Sequence, residues 1–248
     1  MKDRRNIWIV ITALLALSVL LYGGLYVLFP ERLTDIGFYT LLDIAFIPLN
    51  VVLVGLVIDR LLAARERTAL LHKMNMVVGA FFSEMGTELV DRLTRFDPDV
   101  ESLRPHLVFT PRWTPADYEE AQRQVSTDSH PMSLSCGDIA DLRAFMIENR
   151  SFLLRLLENP NLLEHQTFTD ALWAVTHLAE ELAARSDLSA MPPSDVRHVE
   201  LDMARAYGRL LSEWLGYVRH LKADYPYLFS FAVRTNPFDR DASIEVRE

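Results

Sequence analysis

The side chains best suited to chemistry lie in and just before one predicted helix of the C-terminal half. His177, Glu180 and Glu181 share that helix, and Glu164 and His165 precede it. Di-iron helical bundles bind metal through Glu-x-x-His pairs on facing helices, whereas here the order is reversed and the pair occurs once. His177 and Glu181 also lie off the apolar stripe, where an i,i+4 polar pair is ordinary. We therefore predict a polar helix face, with no metal and no other cofactor.

Other enzymatic chemistry lacks its motif in this chain. The polar loop at 126–135 contains several serines and His130, but no G-x-S-x-G elbow that would expose and activate a nucleophile. No Walker loop is present, and no G-x-G-x-x-G follows a strand, so the backbone cradle that phosphate needs has no candidate. We therefore expect no catalytic residue and no nucleotide site.

A second chemical feature is a set of polar residues inside an apolar stretch near the N-terminus. Asp43, Pro48 and Asn50 lie within the segment 38–62. Asp43 and Asn50 are seven residues apart, so they project from the same side of a helix, and Pro48 frees a backbone carbonyl between them. A carboxylate at this depth is expected to face protein or water, because ionised Asp is costly in lipid. We predict a membrane polar face that forms an interface between copies or with a partner span.

The elements that position this face are two predicted spans. Residues 7–29 carry no charge, and residues 36–58 follow after the short link 30–35. Each is about as long as the roughly 20 apolar residues that cross a bilayer. The first lacks the short apolar core and small-residue cleavage site of a signal peptide, so we expect it to be retained. Residues 1–60 are therefore predicted to form a transmembrane hairpin in the lipid bilayer.

Basic residues predict the orientation of this hairpin. The link contains Arg32 beside Glu31 and Asp35. The other basic side chains of this region flank the spans, at Lys2, Arg4 and Arg5 before the first and at Arg60, Arg65 and Arg67 after the second. Cytoplasmic loops carry the excess of Lys and Arg in membrane proteins. Both termini are therefore predicted to be cytoplasmic.

Charge and cysteine content limit the partners of the remaining chain. Residues 1–67 contain seven basic and six acidic side chains, a net +1, which leaves −10 for the rest of a chain whose formal net charge is −9. Such an acidic body lacks the basic stripe that phosphate backbones require, so we expect no nucleic acid partner. The single cysteine, Cys136, excludes an intrachain disulfide and fits a reducing compartment.

Helical periodicity organises the cytoplasmic part. Apolar residues at three- and four-residue steps predict a helical stalk over 61–96, and Gly79 and Gly86 within it indicate close packing or a bend. Five prolines make 97–136 a connector with one short helix, for which Thr114 and Asp117 predict a capping box. The segments at 106–109 and 227–233 are the two weak strand candidates.

Residues 137–225 are predicted to form a helical bundle, and 226–248 a C-terminal tail. We expect helices over 138–158, after a capping box at 167–170, and after a cap at Ser194 or Asp195. The last helix has heptad spacing. Its six apolar residues are the predicted interaction face: Met203, Tyr207, Leu210, Trp214, Tyr217 and Leu221. The predicted fold class is all-α: an N-terminal transmembrane helical hairpin, a helical stalk and a cytoplasmic helical bundle.

Two segments of the C-terminal half resemble an uncharacterised family of small prokaryotic two-span membrane proteins with a helical cytoplasmic domain. They are 156–185, which contains NPNLLEH, and 220–239, which contains RTNPFD. The resemblance implies an integral protein of a prokaryotic inner membrane and brings no activity with it.

Two function classes therefore stay open. The first is a membrane-anchored interaction or scaffold module, either a homo-oligomer or a subunit that binds a partner membrane protein. The second is a pore or transport subunit whose second span lines an ion or proton path. Asp43 distinguishes them, since a scaffold buries it in a neutral or paired state and a pore exposes it to water and ions.

Overall fold

The computed structural model describes residues 2–127, 130–160, 162 and 165–245. Side chains are described over these residues except at 2–11, 15, 33, 63–74 and 127. The chain divides into two compact units, Met1–Glu66 and Arg67–Glu248. The described residues are mostly helical and contain no strand, so the fold class is all-α. The α-helices are α1 Lys2–Leu28, α2 Leu33–Phe81, α3 Thr87–Thr94, α4 Val100–Leu107, α5 Pro115–Thr127, α6 Ile139–Leu157, α7 Gln166–Ala184, α8 Pro193–Asp224 and α9 Pro226–Arg234.

The first unit contains α1 and the beginning of α2. A single 3₁₀ turn, Pro30–Arg32, connects them, so the link between the two α-helices is shorter than the predicted 30–35. By length and composition, Thr34–Leu62 is long and apolar enough to cross a membrane. The described apolar stretch of α1, Thr12–Leu28, is shorter than a full span.

The predicted stalk is not a separate element, because its C-terminal part belongs to the core of the second unit. α2 ends at Phe81, a π-helical turn follows over Phe82–Gly86, and α3 ends at Thr94. The side chains facing inward along this path are almost fully buried: Phe81, Phe82, Met85, Leu89, Leu93 and Phe96. These apolar residues lose contact with water against the other helices, which stabilises this stretch far more than helix propensity alone.

Gly86 permits the close packing of the π-helical turn. A Cβ atom at this position would lie 2.6 Å from Cε1 of Phe81 and 2.7 Å from Cδ1 of Phe82. Those two rings pack edge to face, with centroids 5.0 Å apart, and Phe82 also stacks on Tyr217 at 5.1 Å. The prediction of close packing is therefore confirmed at Gly86.

The second unit is built around α8, the longest helix that lies entirely within it. α8 packs against α3, α5, α7 and α9, and α6 packs on the other side of α7. One face of α7 supplies Phe168, Leu172, Val175, Leu178 and Leu182 to the core, and each is fully buried. This is the helical bundle that the periodicity of 137–225 predicts.

α6 begins close to its predicted start at 138. Asp138 caps this helix, because its side chain accepts hydrogen bonds from the backbone N–H groups of Ala140 and Asp141.

The starts of α7 and α8 differ from the predictions. The capping box predicted at 167–170 is wrong, since α7 begins at Gln166 and His165 caps it by accepting from the N–H of Phe168 at 3.2 Å. α8 begins at Pro193, with neither Ser194 nor Asp195 as the cap. Proline suits a first helical position because no N–H is needed there.

Both strand candidates are wrong. His106 and Leu107 end α4, and residues 227–233 lie inside α9. The connector at 97–136 therefore contains two helices, α4 and α5, instead of one. The predicted tail is also part of the bundle: Nδ2 of Asn236 donates to the carbonyl of Leu107 at 2.9 Å, and Phe238 is buried against Trp214.

Candidate functional site

Asp43 forms a hydrogen bond across the first unit. The hydroxyl of Tyr22 on α1 donates to Oδ2 of Asp43 on α2 at 3.0 Å, between residues 21 positions apart in sequence. Tyr22 lies 8 residues before the turn at Pro30–Arg32, and Asp43 lies 11 residues after it. The bond therefore joins positions of α1 and α2 at similar distances from the turn. Tyr22 is thus a polar partner of Asp43 within the same chain.

Of the other predicted polar and basic residues, those whose side chains the structure describes make no comparable contact. Pro48 lies inside α2 without ending it, and Asn50 is exposed. Asp43 and Asn50 therefore share no partner in the described part of the chain. Arg60 is exposed, while the side chains of Arg65 and Arg67 fall outside the described side chains.

The predicted interaction face of α8 is wrong as a surface for partners. Five of its six residues are buried inside the protein's own bundle, and Tyr217 is partly buried: Met203, Tyr207, Leu210, Trp214, Tyr217 and Leu221. The heptad spacing is real, but the helices that fill it belong to the same chain. Such spacing shows that a helix packs against other helices and does not show whose helices they are.

α9 leaves apolar side chains on the surface instead. Phe229 is buried, but Tyr227 is 71% exposed, Leu228 41% and Phe231 50%. Phe229 therefore belongs to the core, Ala232 and Val233 pack against it, and Tyr227, Leu228 and Phe231 form an apolar face on the second unit. We call Tyr227, Leu228 and Phe231 the α9 face.

A polar cluster joins α7 to α8 on the far side of their apolar contact. Asp202 Oδ2 lies 3.3 Å from Nε2 of His177 and 3.3 Å from Nε2 of His198. One donor atom from each of these three residues lies within 4.8 Å of the others, a spacing at which they could hold a metal ion. His198 and Asp202 share a face of α8 because they are four residues apart, while His177 comes from α7. We call these three residues the His–His–Asp cluster.

Burial differs sharply within the cluster. The side chain of Asp202 is 2% exposed, whereas those of His177 and His198 are 47% and 52% exposed. Arg205, one turn further along α8, pairs with Oδ1 of Asp202. Oδ2 of Asp202 has no hydrogen-bond partner although it is buried, so an acceptor remains unsatisfied between two imidazole nitrogens.

Arg185 holds the neighbouring carboxylates in place. Its guanidinium makes two bonds to Asp195, at 2.9 and 2.6 Å, and one to Oε2 of Glu181 at 2.6 Å. These bonds lower the pKa of Asp195 and of Glu181 from their ordinary values. Glu181 lies 3.9 Å from His177 and 3.6 Å from His198. Glu181 therefore lies beside the His–His–Asp cluster, but its carboxylate already accepts a hydrogen bond from Arg185.

The sequence singled out His177 and Glu181, whose side chains lie 3.9 Å apart, but not the other two residues of the cluster. Of the residues grouped with it there, Glu180 lies 3.9 Å from Arg150, His165 caps α7, and Glu164 is outside the described residues. His198 and Asp202 were missed, although a His-x-x-x-Asp spacing on one helix is a visible signal. Their meeting with His177 depends on the pairing of α7 with α8, which spacing within one helix does not specify.

Comparisons with known proteins agree with this division into two helical parts. Two family models match the chain: "MJ1433, N-terminal helical domain" over residues 2–62, and "Uncharacterized protein MJ1433, C-terminal helical domain" over residues 70–234. A relative from Methanocaldococcus jannaschii, described as "Uncharacterized protein MJ1433", is 41% identical over 244 residues, which is 98% of each chain. No solved structure matches. The chain therefore belongs to the MJ1433 family, in which an N-terminal and a C-terminal helical domain are joined.

Proposed function

We propose that this protein is a membrane-anchored helical interaction module of a prokaryotic membrane. In this proposal α1 and the beginning of α2 form a two-span anchor, both termini are cytoplasmic, and the second unit binds other copies or a partner membrane protein. A single observation carries it. The apolar window in Thr34–Leu62 has none of its residues buried.

Exposure on every side distinguishes this helix from a core helix. Leu49, Val51 and Val52 are 59%, 66% and 59% exposed, although their side chains point in three different directions around the helix. An amphipathic helix hides one stripe, whereas a helix that is apolar all round needs an apolar environment. Soluble proteins rarely expose apolar patches of this extent. A lipid bilayer supplies the missing environment.

The Tyr22–Asp43 hydrogen bond supports the hairpin form of the anchor. A carboxylate between membrane helices is tolerated when it faces protein and is hydrogen-bonded. The phenol of Tyr22 supplies that partner from the same chain. This favours Asp43 as a tie between the two helices over Asp43 as part of an ion path, which is the alternative function of a pore or transport subunit.

Cysteine labelling tests the anchor and its orientation together. Cys136 is exposed in the second unit, so a membrane-impermeant maleimide is expected to label it in lysed cells and not in intact cells. In a Cys136→Ser background, Glu31→Cys places a thiol in the turn between α1 and α2, and intact cells are expected to be labelled there. The reverse pattern, or equal labelling of both sites in intact cells, contradicts the proposal.

Association is tested separately on the α9 face. In mild detergent the native protein is expected to have a mass above that of one chain, or to copurify with a stoichiometric membrane partner. Phe231→Glu places a charge on the α9 face and is expected to weaken this association. Ile147→Glu is a matched control, because Ile147 is 46% exposed on α6. A monomer without a partner, or equal effects of both variants, contradicts the role of the α9 face.

The alternative function is tested by Asp43→Asn. The side-chain amide keeps an oxygen that accepts from Tyr22, but it carries no charge. In the interaction-module proposal the assembly persists and reconstituted vesicles show no ion flux with either protein. Flux that is present in the native protein and lost in Asp43→Asn would favour the pore.

A further inference from the structure

We infer that the His–His–Asp cluster is a binding site for a divalent transition metal ion, with zinc as the best-fitting ion. The cluster lies wholly within the second unit, between α7 and α8. This inference is independent of the membrane anchor, and either proposal can fail without the other.

The distances from Asp202 to the two histidines match those between two ligands of a shared metal. Zinc binds imidazole nitrogen at about 2.0 to 2.1 Å and carboxylate oxygen at about 2.0 to 2.2 Å in tetrahedral geometry. Two ligand atoms at those distances lie roughly 3.3 Å apart around a tetrahedral ion. Asp202 Oδ2 is 3.3 Å from Nε2 of His177 and 3.3 Å from Nε2 of His198.

The unsatisfied oxygen of Asp202 is an independent indication of a ligand. Oδ2 is buried without a hydrogen-bond partner, and a buried, unpaired carboxylate oxygen is costly. It lies 3.3 Å from each of the two imidazole nitrogens, and no described residue donates a hydrogen bond to it. A cation held by all three residues would satisfy it.

The neighbouring residues keep this oxygen available. Arg205 binds the other oxygen, Oδ1, so it fixes the carboxylate without occupying Oδ2. Carboxylates and hydrogen-bond partners outside the ligands commonly orient metal ligands in this way. Arg185 similarly engages Glu181, which leaves the cluster with three protein ligands and an approach from solvent on the side of the half-exposed histidines.

The donor types select the class of metal. Imidazole suits zinc, copper, nickel and iron, whereas magnesium and calcium prefer oxygen ligands throughout. Two histidines and one carboxylate leave at least one coordination position for water, as in zinc sites that are not closed by four protein ligands. A bound ion would also cross-link α7 to α8, the two helices that form the centre of the bundle.

Protonated histidines offer another account of the same geometry. Two imidazolium groups beside Asp202 would form ion pairs without any metal. The two accounts differ in a measurable way, because the ion pairs need no metal and give no metal-dependent signal.

The test is metal binding to the full-length protein in mild detergent after dialysis against a chelator. Calorimetric titration is expected to show one zinc ion per chain, and cobalt(II) is expected to give the visible absorption of a low-coordinate site. His177→Gln, His198→Gln and Asp202→Asn each remove a ligand. Each is expected to weaken zinc binding by at least about 100-fold. The loss of a residue that only orients a metal ligand costs up to about 100-fold in affinity, and the loss of a ligand itself is expected to cost no less.

Two controls make the result decisive. His106→Gln removes an exposed histidine of α4 and is expected to leave zinc affinity unchanged. The histidine variants replace half-exposed side chains, so they test the site even if Asp202→Asn does not fold. Magnesium in excess is expected not to displace zinc. Equal zinc affinity in the native protein and both histidine variants, or equal loss in His106→Gln, overturns the inference.

Thermal unfolding supplies a second readout. Zinc at about 100 times its dissociation constant is expected to raise the Tm of the native protein by roughly 5 to 10 °C, since it binds only the folded state. The same zinc concentration is expected to leave the Tm of His198→Gln unchanged. A rise of equal size in both proteins contradicts a site at this cluster.

Discussion

The two units of this protein place their apolar residues in opposite ways. In the first unit, Leu53 is 59% exposed in a helix that is apolar all round, while in the second unit Leu210 is 1% exposed in a helix with one apolar face. Both residues are leucines inside long helices. The difference is in what surrounds the helix: neighbouring helices cover α8, and no described residue covers the apolar window of α2.

This contrast shows that apolar content and helical periodicity carry different information. All-round apolar sequence indicates that a helix needs an apolar environment, which lipid can supply. A single apolar stripe indicates packing against protein. The polar groups follow the same division, because the second unit fixes them in networks such as that of Arg185, while the first has the Tyr22–Asp43 bond between exposed side chains.

The largest expected effect is from one substitution made in both units. Leu210→Ala removes buried side-chain volume and is expected to lower the free energy of unfolding of the second unit by about 2 to 5 kcal/mol. Leu53→Ala makes the same change at an exposed position and is expected to leave that unit's stability unchanged. Tryptophan fluorescence during urea unfolding measures the second unit, which contains Trp113, Trp173 and Trp214, and amide hydrogen exchange measures the first unit. Equal losses of stability in the two variants would contradict the claim that protein covers Leu210 and not Leu53.

A glycine pair sharpens the comparison within the second unit. Gly86→Ala forces a Cβ into the rings of Phe81 and Phe82, which are 0% and 1% exposed and have no room to move. We expect a loss of about 1 to 3 kcal/mol, as for overpacked cores. Gly216→Ala meets no atom within 4 Å and is expected to stabilise α8 by up to about 1 kcal/mol, because alanine favours a helix. Effects of the same sign would contradict the tight π-helical turn.

A smaller effect concerns Arg185 and depends on pH. Its bonds lower the pKa of Asp195 and Glu181 in the folded state below the ordinary values of 3.8 and 4.5. Such carboxylates contribute stability above their unfolded pKa values and lose that contribution as pH falls through the folded ones. Arg185→Gln is therefore expected to lower stability at neutral pH, with a difference from the native protein that shrinks below about pH 5.

The control for this pH dependence is Arg209→Gln. Arg209 donates to the backbone carbonyl of Asp170 and binds no carboxylate among the described residues, so its effect is expected to be independent of acidic pH. Thermal unfolding at several pH values measures both variants. A difference for Arg185→Gln that stays constant from neutral to acidic pH would show that the ion pairs do not stabilise this junction.

Much of the fold is visible in the sequence because it is local. Period 3.6 predicts the helices of the bundle, and the N–H of Thr114 donates to Oδ2 of Asp117 at 2.5 Å, as the predicted capping box requires. The failures come from tertiary contacts. The strand candidate at 227–233 forms α9, because Pro226 starts a helix and Phe229 reaches the core. The predicted stalk enters the bundle because Phe81 and Phe82 find partners in α7 and α8, which helical periodicity alone cannot identify.

The candidate sites divide in the same way. Asp43 stands out in sequence as a carboxylate in an apolar segment, but its partner Tyr22 is set by the pairing of two helices. His177 stands out as well, while the atoms that approach it come from His198 and Asp202 on α8. Spacing along one helix predicts which residues share a face, and the pairing of faces is a property of the packed structure.

The smallest expected effect concerns the first unit itself. Tyr22→Phe removes the hydroxyl that donates to Asp43 and keeps the aromatic ring, so any change is due to the hydrogen bond. In full-length protein in lipid nanodiscs, backbone amides near residues 22 and 43 are expected to exchange with deuterium faster in the variant, while those of α8 are unchanged. Tyr26→Phe, one turn further along α1 at a 61% exposed side chain, is the matched control. If the two variants exchange alike, the bond does not hold α1 to α2, and Asp43 must be explained by partners outside this chain.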